Sequence, residues 1–134
     1  MISYAGGDWD DTLQPADPRM KERLISAWTQ ALAYQSLHSL SMGIHKASNP
    51  AALTCAKELE GMVNAIKRDF EKYLIRDGVI AGFAYMEEDG SFSYMLHPSD
   101  NKTGIHYRLL PLTRSIISHL ADDASIPADR EYSW

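Results

Sequence analysis

Residues 79–97 read VIAGFAYMEEDGSFSYMLH, and the period of this stretch decides the fold. Apolar and polar positions alternate on either side of Asp89-Gly90, a dipeptide that favours a two-residue hairpin turn. That turn would set Glu87 opposite Phe92, Tyr85 opposite Tyr94 and Phe83 opposite Leu96. One face of the hairpin would then be aromatic, with Phe83, Tyr85, Phe92 and Tyr94. The other, with Ala84, Met86 and Met95, is also fairly apolar. Such a hairpin is either sandwiched or presents one face to a partner.

Towards the N-terminus the period changes from two to that of a helix. Ala52, Ala56, Leu59, Val63, Ile66, Phe70 and Tyr73 alternate steps of four and three, a helical packing seam. Pro50 suits the first turn after Ser48 or Asn49, and Asp77-Gly78 supplies the stop. An earlier helix is expected from Asp17, an N-cap residue followed by Pro18. Leu24, Trp28, Ala31, Gln35, His38 and Met42 follow its spacing, and Gly43 and Ser48-Asn49-Pro50 end it. The connection is short, so the two helices should form an antiparallel hairpin. Towards the C-terminus, Ile105 to Leu110 reads as a third strand. Leu112, Ile116, Ile117 and Leu120 mark a short amphipathic helix preceded by Pro111.

The expected class is α+β, in the order ααβββα. An antiparallel helical hairpin packs on a small antiparallel three-stranded sheet, and a short C-terminal helix completes the layer. A length of 134 residues fits one domain, with residues 1–16 an irregular lead-in and 125–134 a polar tail. The formal net charge of −5 disfavours nucleic acid and anionic membrane as partners. Cys55 is the lone cysteine, so an internal disulfide is excluded. It reads as a small packing residue of the second helix. No leader or membrane-length apolar run is evident, and the expected location is cytoplasmic.

The segment Asp8-Trp9-Asp10-Asp11-Thr12-Leu13 resembles the first motif of the haloacid dehalogenase-like phosphohydrolases. The resemblance implies Asp8 as nucleophile, Asp10 as acid/base residue and a bound Mg²⁺. It covers six residues. Gly6-Gly7 stands where that family has a buried strand, and no βαβ alternation follows. Asp122-Asp123 would mimic the family's late acidic pair. An EF-hand starting at Asp8 needs Gly and Glu where Leu13 and Arg19 stand. His97 and His106 flank a loop containing Asp100, with His119 beyond, but no recognised ligand spacing links them, so no metal or other cofactor is expected. Lys67, Arg68, Lys72 and Arg76 make the end of the second helix basic, although Asp69, Glu71 and Asp77 interleave with them.

No catalytic constellation stands out from these residues. The expected function is therefore a small acidic, non-enzymatic regulator or inhibitor, of the immunity or phage anti-defence type, that blocks a partner protein. Tyr132, Trp134, Trp28, Tyr85 and Tyr94 would make the contact, and a homodimer would account for the same apolar surplus. The alternatives are a Mg²⁺-dependent phosphohydrolase using Asp8 and Asp10 and, more weakly, a nucleic-acid-binding regulator.

Overall fold

A computed structural model of the chain describes residues 1, 3, 17–47, 49–107 and 109–121. The acidic segment at 8–13, Asp122-Asp123 and the tail with Tyr132 and Trp134 lie outside the described residues.

Asp17 does cap a helix, but a single 3₁₀ turn, Pro18–Glu22. The chain then enters a strand, β1 (Leu24–Ser26), before the long helix α1 (Ala27–Ile44). Leu24 and Ile25, expected on the helix, are instead buried in a sheet. Ser26 is the true N-cap, its hydroxyl accepting from the Thr29 amide at 3.3 Å. Helix α2 (Pro50–Tyr73) starts where its proline indicates, capped by Asn49. It buries Ala56, Val63, Ile66 and Phe70 from the expected seam. The helices run antiparallel. Ala27 and Ala31 at the start of α1 share a core cluster with Phe70 near the end of α2. Ser41 near the end of α1 donates to the Ala56 carbonyl near the start of α2, at 3.1 Å.

Two short antiparallel pairs follow. Strands β2 (Ile75–Arg76) and β3 (Val79–Ile80) pair across Asp77-Gly78, both at positive φ. The two-residue turn expected at Asp89-Gly90 therefore sits at Asp77-Gly78, read as a mere helix stop. Strands β4 (Phe83–Met86) and β5 (Phe92–Met95) close through three residues, Glu88, Asp89 and Gly90, with Gly90 at φ +82. The Ser91 carbonyl receives the Glu87 amide at 2.9 Å. Asp89 accepts from both the amide and the hydroxyl of Ser91, which steadies the longer loop.

The extra loop residue shifts the register by one, and a shift of one exchanges faces. Met86 now opposes Phe92 and Ala84 opposes Tyr94, while Tyr85 opposes Ser93. The expected aromatic face is thus split. Phe92 and Tyr94 pack towards the helices with Ile25 and Ala84, whereas Phe83 and Tyr85 point to the other side.

The structure is α+β, with the two long helices, a three-stranded antiparallel sheet and a short C-terminal helix, α3 (Leu109–Ile117). The third strand comes from a different place. The sheet order is β1-β4-β5, and residues 105–107 are irregular and exposed. Strand β1 outcompetes them because it follows directly into α1 and lies against β4, pairing Leu24 with Tyr85 and Ser26 with Phe83.

Gly82 stands at the junction of these parts. Its amide donates to Leu96 and its carbonyl accepts from Ala27. A Cβ there would lie 2.6 Å from Leu96 Cδ1 and 2.7 Å from Leu96 Cβ. Leu96 cannot yield easily, since its backbone is held at φ +56. Gly82→Ala is therefore expected to destabilise by about 1–3 kcal/mol, the usual cost of overpacking. Urea denaturation measures it, and an unchanged midpoint would contradict the close approach.

Candidate functional site

The pairing of β1 with β4 brings two charged segments together that the sequence keeps far apart. The 3₁₀ turn and its exit contribute Asp17, Pro18, Arg19, Glu22 and Arg23. The end of β4 and the hairpin loop contribute Tyr85, Glu87, Glu88 and Asp89. Between them lies an open cleft of about 900 Å³.

The charges in the cleft are held by local bonds. The Arg19 guanidinium grips Asp17 with both ends, at 3.0 and 2.7 Å to one carboxylate oxygen, and keeps that carboxyl below its ordinary pKa. Glu87 accepts from the Ser93 hydroxyl at 2.6 Å and from the Lys102 ammonium at 3.2 Å. These two bonds, in that order of weight, lower its pKa. Asp89 is lowered by its bonds from Ser91. Lys102 also lies 5.7 Å from the centre of the Tyr85 ring. Arg23 has no ion pair among the described residues. Five carboxylates thus face two guanidinium groups, one of them already engaged by Asp17. A phosphate dianion would be repelled here. A neutral, hydroxyl-rich molecule would find acceptors, a cationic donor at Arg23 and an aromatic ring at Tyr85, the mix of apolar surface and few placed polar groups that small-molecule sites use.

A second polar cluster turns the chain after β5. His97 is buried, and its Nε2–H donates to the Arg76 carbonyl at 3.0 Å. Its Nδ1 accepts from the Ser99 amide at 3.1 Å. Both ring nitrogens are therefore occupied, which settles the tautomer. Asp100 accepts from the amides of Leu96, Lys102 and Thr103 and from the Thr103 hydroxyl. His106 and His119 are exposed. Among the described residues no group of three His, Cys, Asp or Glu could hold a metal ion. The cluster is a corner brace, and its ligand-like residues are spent on backbone.

The other sequence candidates fall as follows. Tyr85 floors the cleft. Tyr94 is on the opposite face, half-buried against the core and 5.7 Å from the His97 ring. Trp28 is half-buried on α1, with the Arg114 guanidinium 5.8 Å from its ring centre. Cys55 is exposed rather than packed. The basic end of α2 is engaged locally: Arg68 bonds Asp69, Lys72 lies over the Tyr73 ring and Arg76 pairs with Asp77. No helix among the described residues is long and apolar enough to cross a membrane. Arg19, Glu22, Arg23 and Glu88 were not foreseen as site residues. Singly they look like solvated charge, and only the β1–β4 pairing makes them neighbours.

No protein-family model matches the chain. Over 123 residues, 91% of its length, it is 44% identical to the 1,2-beta-oligoglucan phosphorylase of Listeria innocua. The match covers 10% of that protein, so the chain spans about a tenth of the curated relative. This resemblance to an enzyme overturns the expectation of a non-enzymatic inhibitor or regulator. That expectation took the missing catalytic pattern as evidence of a binding role, although a stretch that matches a tenth of an enzyme need not show the whole pattern.

Proposed function

We propose that this chain serves in the phosphorolysis of β-1,2-linked oligoglucan, as part of a larger glucan-cleaving enzyme. The observation that carries the reading is the 44% identity across 91% of the chain. The cleft fits it, since an acidic groove around one aromatic ring suits a neutral sugar better than the phosphate co-substrate. In this reading a glucan segment lies over Tyr85, its hydroxyls between Arg23 and the carboxylates of Glu22 and Glu88.

In phosphorolysis a phosphate oxygen bonds to the anomeric carbon while the glycosidic bond breaks, and the leaving oxygen needs a proton. A carboxylic acid is the usual donor. Asp8 and Asp10 are the proposed source. Their segment gathers three carboxylates in four residues, whereas Asp17, Glu87 and Asp89 of the cleft are held below their ordinary pKa by hydrogen bonds.

The test is an exchange. The matching segment of the Listeria innocua enzyme is replaced by this chain, and phosphate-dependent shortening of β-1,2-oligoglucan is followed by release of sugar phosphate. Retained phosphorolysis is expected. A chimera that folds, as judged by its melting transition, yet releases no sugar phosphate would overturn the reading.

A further inference from the structure

Helix α3 is arranged against the usual rule for an amphipathic helix. It buries small and polar residues: Pro111 and Ser115 are within the structure, and Ser118 just past its end is also buried. Their polarity is absorbed internally, with Ser115 donating to the Pro111 carbonyl at 2.7 Å and Ser118 to the Ser115 carbonyl at 3.0 Å. Leu112 packs against the core, but the other four large aliphatic residues face outward. Leu109 is 73% exposed, Ile117 59%, Ile116 53% and Leu110 41%. The sequence pattern placed Ile116 and Ile117 inside, and the structure reverses them.

These four side chains are not scattered. At about 100° per residue, Ile116, Leu109, Thr113, Ile117 and Leu110 fall in that order on one arc of roughly 120°. That is the width of a stripe that faces a core. Thr113, its polar member, folds its hydroxyl back onto the carbonyls of Leu109 and Leu110. Ile105 and Tyr107, both exposed, extend the apolar surface along the chain that leads into the helix. Arg114 stands beside the stripe, next to Leu110 on the helical wheel. Its guanidinium lies over the Trp28 ring with a buried Nε, and among the described residues Arg114 has no ion pair.

We propose that this stripe is the seat of a helix from the remainder of the glucan-phosphorolysing enzyme, aliphatic along its contact and bearing a carboxylate where it passes Arg114. The inference rests on the function proposed above. Two observations select this occupant. The relative is about ten times as long as the matched segment, so ample chain lies outside the match to cover α3. Arg114, a half-buried cation without an ion pair among the described residues, stands beside an aliphatic arc, and charge complementarity favours an acidic group on an otherwise apolar partner surface. With both faces covered, α3 becomes an interior helix, and its burial of serines on one side and aliphatics on the other ceases to be anomalous.

The test places the same substitutions in two contexts. Leu109→Asp and Ile116→Asp should leave the melting temperature of the isolated chain unchanged, because both positions are open to water there. In the segment-exchanged Listeria innocua enzyme they should lower the melting temperature by several degrees. If the aspartate variants of the chimera do not fold at all, Leu109→Ala with Ile116→Ala supplies the milder comparison and a smaller fall is expected. A chimera whose melting is indifferent to all of these changes would overturn the inference. So would sedimentation showing that the isolated chain dimerises through the stripe and that Ile116→Asp makes it monomeric, since the occupant would then be a second copy. Phosphorolysis is read separately. Activity without any melting effect removes the docking alone, and a melting effect without activity removes the assigned reaction alone.

Discussion

The double change Asp8→Asn, Asp10→Asn in the segment-exchanged enzyme should lower the rate of oligoglucan phosphorolysis by about 10²–10⁴-fold, the range that a positioned general acid contributes. The substitution is nearly isosteric and removes only the capacity to give a proton. The single variants then assign the role, and the donor should reproduce most of the loss alone. The alkaline limb of the pH–rate profile, set by loss of the donor's proton, should also change, which a purely structural asparagine effect would not produce. Steady-state release of sugar phosphate at saturating phosphate is the measurement. A double variant within threefold of its parent would show that the leaving oxygen takes its proton from elsewhere.

The largest stability effect is expected at Asp100. Its carboxylate receives three backbone amides and the Thr103 hydroxyl. Asp100→Ala leaves those amides unpaired around a buried position and frees Leu96 from its positive φ. A loss of about 3 kcal/mol is expected, given that hydrogen bonds to charged groups are worth roughly 1.5–3 kcal/mol each before water partly replaces them. Acid titration gives an independent check. Burial opposes ionisation of Asp100, but the bonds from Thr103, Leu96 and Lys102 outweigh it and hold the pKa at about 2, against 3.8 for the free side chain. A carboxyl lowered in the folded state stabilises above its unfolded value and loses that contribution as pH falls through the folded one. Between pH 4 and pH 2 the parent should therefore lose about 2 kcal/mol that the alanine variant no longer has to lose. Equal acid slopes for the two proteins would show that the brace is not ionised as described.

The brace also shows why parts of the molecule could be read from sequence and others could not. Helix α2 was legible because its seam is long and Pro50 marks its entry. Its start at Pro50 and its burial of Phe70 followed from spacing alone. The first helix was misjudged because Asp17-Pro18 carries a strong start signal that is satisfied by one 3₁₀ turn. What diverts the chain at Leu24 is pairing with residues 83–85, and no local pattern announces that. The two Asp-Gly pairs are identical in composition, yet Asp77 takes positive φ and Asp89 does not. Ser91 decides the matter by engaging the Asp89 carboxylate, and the resulting single-residue shift sends Tyr85 into the cleft and Tyr94 against the core. The cleft depends on this tertiary pairing at both of its walls. By contrast, the carboxylates of the Asp8 segment stood out by a six-residue resemblance to a phosphohydrolase motif, which implied a different reaction from the one proposed.

The sheet order β1-β4-β5 has a consequence for how the molecule assembles. Strands β4 and β5 are joined by the five residues 87–91, and their pairing needs almost no chain closure. Strand β1 meets β4 from about sixty residues away, and the entropy of closing a loop must be met before such a contact returns anything. Both long helices lie inside that loop. The hairpin and the helical pair are therefore free to form early, and β1 docks as a late step that only the collapsed helices can bring within reach. The cleft has one wall on each side of that last pairing, so the proposed binding surface comes into being at the final stage of folding.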